Sequence, residues 1–334
     1  MKLDHPAAVQ KFLLEAGLVS AGEALCVEPL KGGVSSRVWL VERDAGTHTD
    51  RWVIKQALEK LNVQVDWFSD VTRIHREQEV MQVMEPILPG RHIPKVLHAD
   101  YTRHVYLMTA AEEAALTWKE QLMAGKFNPD TARQAATLLR LMHTESHRIP
   151  EEYQAELKNQ RYFIQLRIDP FHRFLMPQYP ELAGRIQTLI DELTLFSDFQ
   201  AACLVHGDFS PKNMLVEQNG NVVLIDYEVA HWGNPVFDLA YCLGHLLLKG
   251  WYLNRKEEML QLIRVFLGAY QPGIHRLLPH LGLMLLARMD GKSPVHYIVE
   301  EALKQTIRRI ARQWINCPDL DADPLEMMEK GYGV

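Results

Sequence analysis

The stretch His206-Gly207-Asp208-Phe209-Ser210-Pro211-Lys212-Asn213, followed by Ile225-Asp226-Tyr227-Glu228, decides the reading of this chain. It lies in a short β-rich island. Cys203 to His206, Met214 to Glu217 and Val222 to Ile225 are apolar runs separated by polar turns. One of those turns, Gln218-Asn219-Gly220-Asn221, holds an Asn-Gly pair that favours a tight hairpin. Taken singly, Asp, Asn, Gly, Pro and Ser are ordinary turn formers. Their joint spacing is specific: Asn213 follows Asp208 by five positions and Asp226 follows it by eighteen. An Asp and an Asn so placed can address one target, and a second Asp ends the next hairpin. Carboxylate and amide oxygens of this kind suit Mg²⁺.

Composition sets the frame around this island. The 334 residues are 47% hydrophobic and 23% charged, which excludes a disordered, collagen-like or disulfide-stapled chain. With 36 basic and 42 acidic residues the net charge is −6, so no nucleic-acid partner is expected. Cys26, Cys203, Cys242 and Cys317 are far apart without a C-x-x-C pair, which points to reduced thiols rather than structural zinc. Met1 to Ala16 is a polar start and a short helical pattern, with no signal-peptide pattern. The longest apolar stretch, Leu239 to Leu248, is ten residues long, against about 20 for a membrane span. A soluble, cytoplasmic protein with no membrane partner is expected, as monomer or homodimer.

Working back towards the N-terminus, Arg37 to Glu42 and Arg51 to Gln56 read as a hairpin across the polar loop Arg43 to Asp50. Ahead of it stands the small-residue turn Lys31-Gly32-Gly33-Val34-Ser35-Ser36. A helix capped by Ser69 or Asp70 should end before Pro86, and His104 to Thr109 reads as a further strand. From Thr131 onwards helical periods dominate. The shift near Thr109 to Ala114 predicts two lobes, residues 1–110 and 111–334.

Phosphoryl transfer needs a carboxylate to orient the attacking hydroxyl and oxygen ligands to hold Mg²⁺ on the phosphates. H-x-D-x-x-x-x-N followed by D-x-G or D-x-E is the kinase pattern. Such a site also requires a lysine on the N-terminal sheet for the phosphates, and Val53-Ile54-Lys55 offers Lys55. Its carboxylate partner should lie on the following helix. Glu77 shares a stripe with Ile74, Val80, Met81 and Met84 and is preferred over Glu79. Gly33, Ser35 and Ser36 would cover the phosphates through backbone N–H groups and a hydroxyl.

These residues resemble the aminoglycoside phosphotransferase and choline kinase-like superfamily, the small-molecule branch of the protein-kinase fold. The resemblance runs from about Leu30 to Gly250 and is most specific in HGDFSPKN…LIDYEVAHWGNPVFDLA, His206 to Ala240. It implies an α+β, two-lobed protein-kinase-like fold, with a small antiparallel-sheet N-lobe and a mostly helical C-lobe. It also implies ATP and Mg²⁺ as cofactors. Asp208 would be the catalytic base, Asn213 and Asp226 the metal ligands, and Glu228 a further metal or water contact. Lys55 and Glu77 would anchor phosphate, and the Met108-Thr109-Ala110-Ala111 hinge would meet adenine through its backbone at Thr109 and Ala111. Asp238 would hold the catalytic loop. Lys212 would either reach the transferring phosphate or stay solvated. The lack of an Ala-Pro-Glu segment after Asp226 argues against a protein kinase. A nucleotide-binding pseudokinase remains as an alternative, although every catalytic position is filled.

The expected partner is a small-molecule hydroxyl acceptor, sugar-like or an amino alcohol. From Tyr241 onwards there are 12 Lys/Arg and 10 Asp/Glu, a balance of +2 that argues against a polycationic aminoglycoside. Trp232, Trp251, Tyr252 and Tyr297 would either form a cage for a quaternary ammonium or belong to the core. Arg288, Asp290 and Lys292 would either meet the acceptor or sit in an interhelical loop capped by Ser293.

Overall fold

The computed structural model describes residues 2–30, 35–46, 48–61, 67–88, 90–195, 202–271, 273, 276–317 and 323–332. After helix α1 (Pro6–Glu15) come strands β1 (Leu25–Pro29), β2 (Ser36–Asp44) and β3 (Thr49–Ala57), then helix α2 (Arg73–Met84), then β4 (Val96–Asp100) and β5 (Val105–Thr109). The strands form one antiparallel sheet in the order β1-β2-β3-β5-β4. Alternation along a strand sends successive side chains to opposite faces. On β3, Ile54 joins Trp39, Val41 and Leu107 beneath Val9, Phe12 and Leu13 of α1. Its neighbour Lys55 therefore points to the other face, where α2 packs with Ile74, Val80, Met81 and Met84 buried.

The hairpin β2–β3 and strand β5 fall where the sequence predicts them, whereas α2 starts at Arg73, later than Ser69 or Asp70 would place it. Asp70 instead accepts from the backbone N–H and hydroxyl of Thr72, closing a turn before the helix.

Beyond Thr109 the chain is mostly helical. Short β6 (Leu116–Thr117) leads into α3 (Trp118–Met123), whose first turn is closed by a Thr117–Glu120 capping box. Then follow α4 (Pro129–Glu145), α5 (Glu151–Leu157) and α6 (Arg161–Phe163). Helix α6 continues as a π-helical stretch, Ile164–His172, with Pro170 inside it, and α7 (Ala183–Thr194) comes next. The island forms β7 (Cys203–Val205), β8 (Met214–Val216) and β9 (Val222–Leu224), and β10 (His231–Gly233) returns to pair with β7. Strand β6 pairs with β8, so Leu116 already belongs to the second half.

The remaining helices are α8 (Val236–Leu253), α9 (Lys256–Tyr270), α10 (Leu277–Asp290), α11 (Glu301–Ile315) and α12 (Pro324–Tyr332). Helix α8 is buried from Val236 to Trp251, the mark of a central core helix. Among the described residues no helix is long and apolar enough to cross a membrane. Ser293 does not cap α11, whose first residue is Glu301; its carbonyl instead accepts from Arg288.

Candidate active site

The loop from His206 to Asn213 joins β7 to β8, and its shape is set by α8. Asp238, fully buried near the start of α8, accepts the backbone N–H of His206 at 2.7 Å and of Gly207 at 2.8 Å. Gly207 has φ +76°, and a Cβ there would lie 2.8 Å from the carbonyl oxygen of Val229. Only glycine fits that backbone at that spacing.

Asp208 is thereby presented with its carboxylate in a cationic grip. Lys212 Nζ lies 2.8 Å from Oδ2, Asn213 Nδ2 donates to Oδ2 at 2.7 Å, and Arg167 Nη2 lies 2.8 Å from Oδ1. Burial opposes ionisation of Asp208, but Arg167 and Lys212 outweigh it and hold the carboxyl well below its ordinary range. Lys212 is 45% exposed along its side chain while its ammonium rests on Asp208, a position between phosphate contact and a solvated lysine.

Lys55 Nζ donates to both carboxylate oxygens of Glu77, at 2.7 and 2.9 Å, and to Asp226 Oδ1 at 2.8 Å. Glu79 instead accepts from the Tyr101 hydroxyl. Burial opposes charge on Lys55, yet Asp226 and Glu77 raise its pKa well above the usual value. Burial pushes Glu77 up to about 7. Asp226 has φ +75°, an uncommon conformation for a residue with a side chain and one that clusters at functional sites.

Glu228 is claimed by a residue that sequence reasoning missed. Arg73, fully buried at the start of α2, donates from Nε to Glu228 Oε2 at 3.0 Å. Its other N–H groups reach the carbonyls of Ser69 (3.2 Å), Asp70 (2.9 Å), Leu58 (2.8 Å) and Ser35. All five guanidinium donors are used. Arg167 was missed too; it comes from the π-helical stretch and also donates to the Gly207 carbonyl at 2.9 Å. Its signal was weak: a lone Arg between Leu166 and Ile168, ahead of Asp169-Pro170.

The oxygen donors of Asn213 and Asp226 fit Mg²⁺, which takes one or two protein ligands together with water and phosphate oxygens. Asn213 spends its amide nitrogen on Asp208, leaving the oxygen as its ligating end. Glu228 has one carboxylate oxygen committed to Arg73. Among the described residues no group of three His, Cys, Asp or Glu side chains forms a metal cage.

At the hinge, Thr109 N–H bonds to Lys95, Ala110 N–H bonds to the Arg51 carbonyl, and the Ala111 carbonyl accepts from Arg51 Nη1. Ser35 and Ser36 are buried at the entry to β2, with the Ser35 carbonyl taken by Leu58 N–H and Arg73. Gly33 lies outside the described residues.

Of the four candidate cage aromatics only Tyr252 and Tyr297 pack on each other. Trp251 packs on Tyr332 at 4.6 Å, Tyr252 on Tyr297 at 4.9 Å, and Trp232 is buried in β10. Asp290 is held by Arg308 at 2.6 and 2.8 Å and by the Tyr179 hydroxyl, a structural role. A groove of about 250 Å³ opens between Trp67, Phe68, Gln165, Asp169, Pro170, Phe174 and Lys292, apart from Asp208 and Asp226.

A five-stranded lobe with a Lys–Glu pair, above a helical lobe presenting Asp208, Asn213 and Asp226, defines a kinase-like small-molecule phosphotransferase. The chain belongs to the phosphotransferase enzyme family, whose model matches residues 27–280. No curated protein matches it. Among solved structures it is similar to the amicoumacin kinase hAmiN in complex with AMP-PNP, Ca²⁺ and Ami, at 13% identity over 96% of both chains with a TM-score of 0.58. It is also similar to a Plasmodium vivax ethanolamine kinase, at 14% identity over 99% of this chain and 88% of that one, TM-score 0.53. The choline kinase LicA from Streptococcus pneumoniae follows at 16% identity over 97% and 98%, TM-score 0.51. These likenesses establish the two-lobed kinase-like fold.

Proposed function

We propose that the protein transfers the γ-phosphate of ATP to a hydroxyl group of a small metabolite, with Mg²⁺ held by Asn213 and Asp226. The observation that carries this reading is the carboxylate of Asp208, gripped by Arg167, Lys212 and Asn213 within the field of Asp226. A carboxyl held this far down is a weak base, so Asp208 serves chiefly to accept the hydrogen bond of the acceptor hydroxyl and aim its oxygen. The oxygen forms its bond to the γ-phosphorus as the bond to the β-phosphate oxygen breaks, ADP leaves, and the proton passes to Asp208 or to the product phosphate. Lys55, already delivered by Glu77, meets the α- and β-phosphates. Asn213 and Asp226 would hold the metal, whose positive charge would offset that of the phosphate oxygens. Lys212 sits beside the same carboxylate and meets the transferring group. Backbone groups of Thr109 and Ala111 meet adenine, and Ser35 and Ser36 lie towards the phosphates.

Ten positions separate Asp226 from the start of α8, too few for a protein-kinase activation segment. Only two of the four aromatics pack together, with Lys249 beside the Tyr297 ring, which speaks against a quaternary-ammonium cage. The +2 balance from Tyr241 onwards speaks against a polycationic aminoglycoside, and both favour a sugar-like acceptor.

The test is ADP release from Mg-ATP across sugars, amino alcohols, nucleosides and aminoglycosides, with Asp208→Asn beside the wild type. Loss of the hydroxyl-orienting carboxylate should lower kcat by roughly 10²–10⁴-fold while ATP binding persists. Failure of the wild type to bind Mg-ATP, or a variant as active as the wild type, would sink the reading.

A further inference from the structure

One face of α8 leads away from the catalytic loop. Tyr241, His245 and Lys249 stand on it at four-residue spacing, stacked along about 12 Å of helix. Tyr241 feels the charges of Asp208, Arg167, Arg288 and Lys212, and His245 those of Lys249, Arg288, Lys212 and Asp208. Arg288, near the end of α10, lies 5.5 Å from the ring of Phe171, the same ring that Arg167 approaches at 5.5 Å. Lys249 Nζ lies 5.9 Å from the Tyr297 ring. The cluster therefore begins where the grip on Asp208 ends.

Its polar atoms are not satisfied from within. Lys249 is 1% exposed, and its ammonium donates to the His245 carbonyl at 3.2 Å. Arg288 donates from Nη1 to the Ser293 carbonyl, but its Nε has no hydrogen-bond partner among the described residues. The same holds for His245 Nε2, on a side chain more than nine-tenths buried, and for the Tyr297 hydroxyl. Among the described residues neither Lys249 nor Arg288 has a carboxylate within ion-pair reach. Burial, reinforced by the charge of Lys119, drags Lys249 down to about 7. Lys249 is buried and Arg288 half-buried, and charges so placed without a counter-charge are costly, as are buried donors without acceptors. His245, Lys249 and Tyr297 all lie within electrostatic range of Arg288, and a ligand bearing negative charge would supply the counter-charge and acceptors that the four lack.

We infer that Lys249, Arg288, His245 and Tyr297 receive an anionic group of the acceptor, a carboxylate or a phosphate, while its hydroxyl lies at Asp208. This rests on the phosphotransferase reading above and narrows it to sugar acids or polyol phosphates. Arg288 supplies a planar fork that matches either anion, and Lys249 a point charge. Neutral sugars leave the cations uncompensated, and amino alcohols and aminoglycosides add like charge.

The experiment compares matched neutral polyols, their sugar acids, their phosphates and amino alcohols. One readout is ADP release. The other is thermal shift with AMP-PNP and Mg²⁺ present. An anionic member should exceed its neutral counterpart at least 100-fold in kcat/KM, and the acid and phosphate arms identify which anion the site takes. Lys249→Met and Arg288→Gln should raise the acceptor KM 10- to 100-fold and leave the ATP KM unchanged. Lys249→Met should also melt higher than the wild type, by roughly 2 °C, because it removes an uncompensated buried charge. That outcome separates a ligand site from a structural lysine, whose loss would lower Tm. The inference falls if a neutral or cationic acceptor is turned over best, if the variants leave the acceptor KM unchanged, or if no anion produces turnover or a thermal shift. The kinase reading falls separately, only if Mg-ATP does not bind or Asp208→Asn loses nothing.

Discussion

The two sides of the catalytic loop treat charge in opposite ways. On the nucleotide side Lys55 meets Glu77 and Asp226, Arg73 meets Glu228, and Asp208 meets Arg167 and Lys212. On the acceptor side Lys249 and Arg288 face carbonyls and aromatic rings. Closed pairs hold a geometry that must be the same at every turnover, since breaking one leaves an uncompensated buried charge. Open cations do the reverse: unpaired, they cost the free protein stability, and on the inference above they gain their counter-charge from the acceptor. On the proposed reading, the contrast separates the part of the site that performs transfer from the part that chooses what receives it.

The paired side is broken most severely at Arg73. Arg73→Met strands Glu228, whose side chain is 7% exposed, and should cost about 3–5 kcal/mol in urea unfolding. Glu228→Gln in the same protein should recover part of that loss. A single variant as stable as the wild type would show that charge pairing does not hold this side together. Gly207→Ala comes next. It forces a side chain into positive φ against Val229, with an expected loss of about 2–3 kcal/mol and a fall in kcat, because Asp208 is the next residue.

The smallest effect is a slope against pH. His172 in the π-helical stretch is pulled down by burial to about 3, and His231 in β10 to about 4. The unfolded chain takes up these protons near 6.5 and the folded chain does not. Stability is therefore complete above pH 6.5 and declines below it, on the order of 1 kcal/mol per pH unit for each histidine. Tm measured from pH 7 to 4.5 should fall accordingly, and His172→Leu should flatten the slope. An unchanged slope would mean that His172 is protonated in the fold.

Legibility in the sequence followed the same division. The loop around Asp208, the Asp226 turn and Lys55 stand in fixed spacings on short elements, so local pattern suffices to find them. Glu77 was separable from Glu79 because its helical stripe is apolar. Arg73 and Arg167 carry no motif. Their guanidiniums reach Glu228 and Asp208 across 155 and 41 residues of chain, and only the tertiary fold joins them.

Strands β1 and β4 were also missed, and both are the edges of the sheet. Strand Leu25–Pro29 alternates half-buried and exposed positions, but its open side starts with apolar Cys26 and the strand ends in Pro29, so the sequence shows no alternation of apolar and polar residues to read. The polar break at Arg288 to Pro294 was noticed, but Asp290 and Arg288 differ only in their partners, Arg308 for one and none of opposite charge among the described residues for the other.

The direction of Arg167 depends on the π-helical stretch from Ile164 to His172. A π turn is one residue wider than an α turn, as if a single amino acid had been slipped into an ordinary helix. Removing one residue between Arg167 and the end of that stretch would trade the wide winding for the narrower one and change the angle about the helix axis between Arg167 and Phe171. Either the guanidinium would leave Asp208, or Phe171 would leave the shelf on which both arginines rest. A one-codon deletion would thus do what no single side-chain change does: re-aim Arg167 against Phe171 while both side chains stay in the chain.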